Sequence, residues 1–149
     1  MINCKAYVIK DKMIADVESI NFVEETVDIW YLDIDIKETL SFKDIHFMKP
    51  TGKKDLLGND IYEGHALYQF SINTHVNYNN RILGIRNFNA NGSCPYKLWD
   101  NIYEYYQQDR VGWIYANKSI IIGTIWDDIN VLKSKFKSIE KTFKDSSLF

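Results

Sequence analysis

Apolar and polar residues alternate along most of this chain with the two-residue period of half-buried strands. Only near the end does the period lengthen to that of an amphipathic helix. Residues 7–9 and 13–17 flank the polar pair Asp11 and Lys12 and predict a hairpin. Residues 27–36 give the clearest alternation, with Trp30, Leu32, Ile34 and Ile36 on one face and Asp33, Asp35 and Lys37 on the other. That pattern predicts one long strand. Shorter strands are expected over 44–48, 63–72 and 81–88, with Asn79-Asn80 and Asn91-Gly92 as turn signals. Two more are expected over 111–115 and 119–126, around Asn117 and Lys118. Residues 96–108 divide the rules. Leu98, Trp99, Ile102, Tyr103 and Tyr106 fall on one helical face, whereas the aromatic content favours a strand. The alternation is poor, so a short helix or an irregular insertion is expected there.

The final element is an α-helix. Ile129, Leu132, Phe136, Ile139 and Phe143 recur at spacings of three and four and form one narrow stripe. Asp127 is the expected N-cap. Asp127 and Asp128 open the helix, and Lys133, Lys135, Lys137, Lys141 and Lys144 crowd toward its end, which suits the helix dipole. The stripe has the spacing of a coiled-coil seam over about two heptads. It therefore fits either docking onto the chain's own sheet or a seam for self-association or a partner groove.

Residues 51–64 are the most distinctive stretch. Pro50 interrupts regular structure and biases Lys49 toward extended backbone. Gly52 and Gly58 permit positive φ, and Asp55, Asn59 and Asp60 bond their own backbone in tight turns. Ile61, Leu67 and Phe70 then open an apolar strand pattern, within which Gly64 suggests a bulge or a close backbone approach.

Thr51, Gly52, Asp55, Gly58, Ile61, Tyr62, Glu63 and Gly64 resemble the signature of the YopX family of phage and prophage proteins. That signature runs Thr-Gly-x-x-Asp-x-x-Gly-x-x-Ile-Tyr-Glu-Gly-Asp before a hydrophobic strand. His65 stands where the family has its last Asp. Lys5 to Val8, Met13, Val17 to Phe22 and Ile122 to Ile125 resemble the flanking strands, without the Arg and Trp of the family's first strand and with Thr124 in place of an Asn. The similarity runs over roughly residues 1 to 132. The resemblance implies a small β-rich protein with an SH3-like barrel, encoded by a phage or an integrated element. It implies no established reaction.

A chain of 149 residues has the size of one ordinary domain or two small ones. The formal charge of −2 argues against a generally basic nucleic-acid binder. It hides a polarity, since residues 11–38 hold nine acidic and two basic side chains, while the basic residues gather late. No apolar run is long enough to span a bilayer, and a secretory signal is not expected. Cys4 and Cys94 lack metal-type spacing and are expected as free thiols.

Reactive constellations are sparse. His46, His65 and His75 are scattered. Glu63 and His65 would share a strand face and need a third ligand to hold a metal. Asp33 and Asp35 would share another, as a carboxylate pair suited to acid–base work only if one were buried. Cys94 has no base near it in sequence, Ser41 and Ser71 lack a nucleophile-elbow setting, and no Gly-rich phosphate loop is present. The richer region mixes Arg81, Arg86, Lys97, Trp99, Tyr103, Tyr106 and Arg110. Tyr105, Trp113 and Tyr115 add to it. Aromatic and basic side chains of this kind stack on single-stranded nucleic acid or form protein-binding hot spots, unless they pack in the core.

The expectation is a mainly β chain with a partly open, SH3-like barrel over 1–126 and an amphipathic helix with its tail over 127–149. A non-catalytic accessory protein is expected, binding a host protein of a defence system in the bacterial cytoplasm. Nucleic acid or a small nucleotide is the alternative ligand. No cofactor, metal or membrane is expected, and homo-oligomers are possible through the helical stripe.

Overall fold

The computed structural model describes residues 3–69, 81–85, 95–100, 103–108 and 119–143. The chain divides into two compact units, Met1–Pro50 and Thr51–Phe149.

The first unit is one antiparallel sheet. It contains β1 (Lys5–Val8), β2 (Met13–Asn21), β3 (Thr26–Tyr31), β4 (Ile36–Ser41) and β5 (Ile45–Met48), in the order β4-β3-β2-β1-β5. Directly opposed residues carry the core across the strands: Ala6 against Ala15, Val17 against Ile29, and Val27 against Leu40. All six are buried and join Val8, Tyr31 and Ile45 in one apolar cluster. A bulge in β2 shifts the register between Val17 and Ser19, which bends and twists the strand at Glu18.

The strand expected over 27–36 is instead a hairpin. β3 stops at Tyr31, the chain turns over 32–35, and β4 starts at Ile36. The buried face is Val27, Ile29 and Tyr31, out of phase with the expected one, while Leu32, Ile34 and Ile36 are exposed. Asp35 takes a φ of 51°, a left-handed conformation that Asp tolerates, and its carboxylate accepts the indole N–H of Trp30 at 2.9 Å. Local polar chemistry thus closes a turn through which the apolar alternation continues unbroken.

A two-stranded sheet follows, of β6 (Pro50–Lys54), which belongs to the second unit from Thr51 on, and β7 (Asp60–Tyr62). The second unit's larger sheet comprises β8 (His65–Gln69), β9 (Arg81–Ile85), β10 (Pro95–Asp100), β11 (Tyr103–Gln108) and β12 (Ser119–Thr124), in the order β11-β10-β9-β8-β12. Residues 95–100 and 103–108 therefore form two paired strands, in place of the expected short helix or irregular insertion. Strand propensity of the aromatic residues prevails over the helical spacing there. The strand expected over 63–72 begins only at His65, because Glu63 and Gly64 form the turn after β7 and Gly64 has a φ of 99°. The strand expected over 111–115 lies outside the described residues.

The helix α1 (Ile129–Phe143) packs on this sheet. Leu132 is fully buried beside Ala66, Tyr68, Ile120 and Ile122, and Ile129, Phe136 and Ile139 pack against that cluster. The Phe136 ring lies 4.7 Å from that of Tyr68. The cap is Asp128, whose carboxylate accepts the N–H of Asn130 at 2.7 Å. Asp127 turns back and accepts the N–H of Thr124 at 2.7 Å. Gly123 lies beneath this corner, where a Cβ would sit 2.5 Å from Asp127 Oδ2 and 2.9 Å from Leu132 Cδ2.

Among the described residues the chain is thus mainly β with one α-helix, near its C-terminal end, and neither large sheet closes on itself as a barrel. No described helix is long and apolar enough to cross a membrane.

Candidate functional site

The distinctive 51–64 stretch forms a locked structural loop. Thr51 Oγ1 donates to the Ile61 carbonyl at 2.5 Å, joining β6 to β7. Asp55 is buried, and its Oδ1 accepts the N–H groups of Leu57 and Asn59 at 3.0 and 2.9 Å. Its Oδ2 accepts the N–H of Ile121 at 3.1 Å, and Leu56 N–H donates to the Ser119 carbonyl at 2.8 Å. The loop is therefore fastened to β12. Gly52 and Gly58, at φ of 76° and 84°, supply the left-handed turns.

The other end of the stretch is equally structural. Ile61 and Tyr62 are buried, and Tyr62 N–H donates to His65 Nδ1 at 2.9 Å. Glu63 lies in the turn and His65 at the start of β8, so the two do not share a strand face as expected. Among the described residues, no three of His, Cys, Asp and Glu gather as a metal-binding group.

Asp33 and Asp35 also depart from the sequence expectation, because both lie in the 32–35 turn and not on a sheet face. Of the aromatic and basic set, Arg81 is on β9, Lys97 and Trp99 on β10, and Tyr103 and Tyr106 on β11. Lys97 is opposed to Tyr106 and Trp99 to Glu104, which puts these four positions on one face. Asp100 is opposed to Tyr103, so position 103 belongs to the other face. Position 81 joins it there, since the register sets Trp99 opposite Ile82. Arg86 and Arg110 lie outside the described residues. In the helical stripe, Ile129, Leu132, Phe136 and Ile139 pack in the chain's own core. The strand that Lys97 and Trp99 share is thus one element of a platform split between two faces.

The first unit presents a site that the sequence pattern did not single out. The turn over 9–12 is tied to the two strands that flank the 32–35 turn: Tyr31 Oη at the end of β3 donates to Asp11 Oδ2 at 2.6 Å, and Lys10 Nζ pairs with Glu38 Oε1 of β4 at 2.6 Å. Around these ties, Leu32 and Ile34 are each 55% exposed, Ile36 47%, Met13 44% and Ile9 43%. Trp30 anchors one side. Its N–H is held by Asp35, and the Lys37 ammonium lies 4.8 Å from its ring centroid while pairing with Glu18 at 2.9 Å. Burial first and the Asp11 hydrogen bond second push the Tyr31 hydroxyl far above the ordinary tyrosine range, so it remains a donor.

These ties fix what would otherwise be two loose hairpin tips. The result is a pre-ordered end of the sheet whose turns and adjoining strand ends carry five exposed apolar side chains together with the exposed Asp11, Asp33 and Asp35. Such a surface offers apolar contact and charge. The sequence signal for it lay in Trp30 and Asp35, five positions apart, which a hairpin brings together and a continuous strand does not.

No protein-family model, no curated protein and no solved structure matches this chain.

Proposed function

We propose that this chain is a non-catalytic binding protein that grips another protein through the end of its first unit where the 9–12 and 32–35 turns meet. The observation that carries this reading is the exposed set Ile9, Met13, Leu32, Ile34 and Ile36 on a frame tied by Tyr31–Asp11 and Lys10–Glu38. Apolar side chains that a fold holds in place at the surface favour association, because little further ordering is needed on binding. The resemblance to YopX family proteins extends the proposal to the partner. It is a host protein in the bacterial cytoplasm, of the kind that acts against phage.

The test is capture from host lysate with the full chain and with the Leu32→Ser, Ile34→Ser double variant. Both substitutions sit at exposed positions, so the variant folds as the parent does. The proposal expects one host protein retained by the parent and lost by the variant. Recovery of the chain alone, or equal retention by the variant, removes it.

A second reading draws on the register that sets Lys97 opposite Tyr106 on the face that also carries position 99. Nucleic acid bound there would dissociate steeply with added salt. Binding of single-stranded DNA that is absent, or unchanged by salt, eliminates this alternative.

A further inference from the structure

Strand β4 is the outer strand of the first sheet, with β3 on one side and no strand on the other among the described residues. Open edges usually carry protection, such as proline, a bulge or charged side chains, and of these β4 carries only Lys37 and Glu38. Ile36–Ser41 contains no proline and pairs with β3 without a register shift. Its two charged side chains are both engaged within the chain, Lys37 with Glu18 and Glu38 with Lys10. Ile36 stands exposed at the start of the strand, next to Leu32 and Ile34.

We infer that β4 receives an extended, basic segment of the partner protein, which adds to the sheet as a further strand. This rests on the protein-binding reading above and names the chemistry of what is bound. Strand addition draws affinity from main-chain hydrogen bonds and specificity from alternate side chains. Ile36, Glu38 and Leu40 alternate on the face shared with Tyr31, Ile29 and Val27, so apolar residues on the incoming strand meet Ile36 and Leu40. The charge of the occupant follows from the surroundings. Residues 11–38 carry nine acidic side chains against two basic ones, and Asp33 and Asp35 lie at the entrance to the edge. A basic segment is steered there and an acidic one is repelled. A second copy of this chain would meet like charges in the symmetric antiparallel registers centred on residues 37 and 38, Lys37 against Lys37 or Glu38 against Glu38, and escapes them only in the register centred on Thr39.

The test uses the full chain and three peptides of roughly eight residues, the length of an ordinary strand. One alternates Lys and Val, one alternates Glu and Val, and one is the Lys–Val peptide with two backbone amides N-methylated. Binding is followed by fluorescence anisotropy and by amide exchange. The Lys–Val peptide should bind, weaken as salt rises, and slow exchange at residues 36–41. Loss of two backbone donors should weaken it by about tenfold or more, and the Glu–Val peptide should not bind. The inference is overturned if the Lys–Val peptide does not bind, if N-methylation changes nothing, if the Glu–Val peptide binds equally, or if protection falls on another strand. A dimer whose exchange protection maps to 36–41 assigns the edge to a second copy and overturns it too. Lysate capture that depends on Leu32 and Ile34, together with peptides indifferent to N-methylation, would leave protein binding standing and remove strand addition alone.

Discussion

The buried carboxylate of Asp55 accepts the backbone N–H of Ile121, 66 positions away in sequence, at 3.1 Å. The same carboxylate holds Leu57 and Asn59 on its other oxygen. One side chain therefore shapes its own turn and fastens that turn to β12. Replacing Asp55 by Ala leaves three amides without their acceptor, and the second unit should lose about 3 kcal/mol or more. Asn keeps one acceptor oxygen but turns an amide donor toward Ile121 or toward the turn, so Asp55→Asn should fall between parent and Ala. Urea unfolding followed by circular dichroism gives the order. Equal midpoints for Ala and parent would mean that the loop is fastened elsewhere.

Gly123 is the contact point between β12 and α1. A methyl group there would lie well inside contact distance of both Asp127 and Leu132. Gly123→Ala must push the helix start off the sheet, at about 1–3 kcal/mol. Leu132→Ala empties the centre of the same cluster and should cost about 2–5 kcal/mol. The two share Leu132, so their double variant should cost less than the sum. Thermal melts of the single and double variants test this. Strict additivity would show that the helix does not dock through this corner.

Burial holds the His46 imidazole below the ordinary histidine range, with its ring against Tyr7 at 6.2 Å between centroids. The neutral ring is therefore favoured in the folded state. As pH falls, the unfolded chain takes up this proton first, at about pH 6.5. The contribution of His46 to stability is thus complete above that pH and declines as pH falls through the folded midpoint. Urea midpoints measured at successive pH values should drop on acidification, and His46→Gln should make the drop shallower. An NMR titration of the ring provides the direct check. A midpoint at or above the ordinary value would contradict the desolvation account.

Much of this fold follows from period-two alternation, but the places where the alternation misleads are informative. It runs unbroken through Trp30 to Ile36, although the chain reverses there. What holds the reversal is the side-chain contact of Trp30 with Asp35, the Asp35 N–H donated to the Leu32 carbonyl, and the left-handed backbone of Asp35. None of these leaves a mark in hydrophobicity. Residues 96–100 and 103–108 show the opposite case, where helical spacing of apolar residues is coincidental and strand pairing decides. The loop over 51–64 was readable because Gly, Asp and Asn at fixed offsets dictate turn chemistry. The helical stripe was readable too, and its burial against Tyr68 and Ile120 depends on neighbours distant in sequence. The exposed end of the first unit was hidden for the same reason. Its residues are assembled by the Tyr31–Asp11 and Lys10–Glu38 ties, which only the folded sheet creates.

Trp30 connects that hidden site to the turn that shapes it. Its N–H to Asp35 fixes the 32–35 turn, and its ring sits beneath the Lys37 ammonium. Trp30→Phe keeps a ring under Lys37 but removes the donor. Asp35→Gly keeps the left-handed backbone accessible but removes the acceptor. Each change lies at the surface and should cost only about 1 kcal/mol of stability. Each should nevertheless weaken the Lys–Val peptide several-fold, because Leu32 and Ile34 are then no longer held in place beside β4. If both act through the one hydrogen bond, the double variant should be no weaker in binding than the worse single variant. Anisotropy titrations of the four proteins complete the cycle. Losses that simply add would separate the indole from the turn and show that Trp30 meets the bound segment directly.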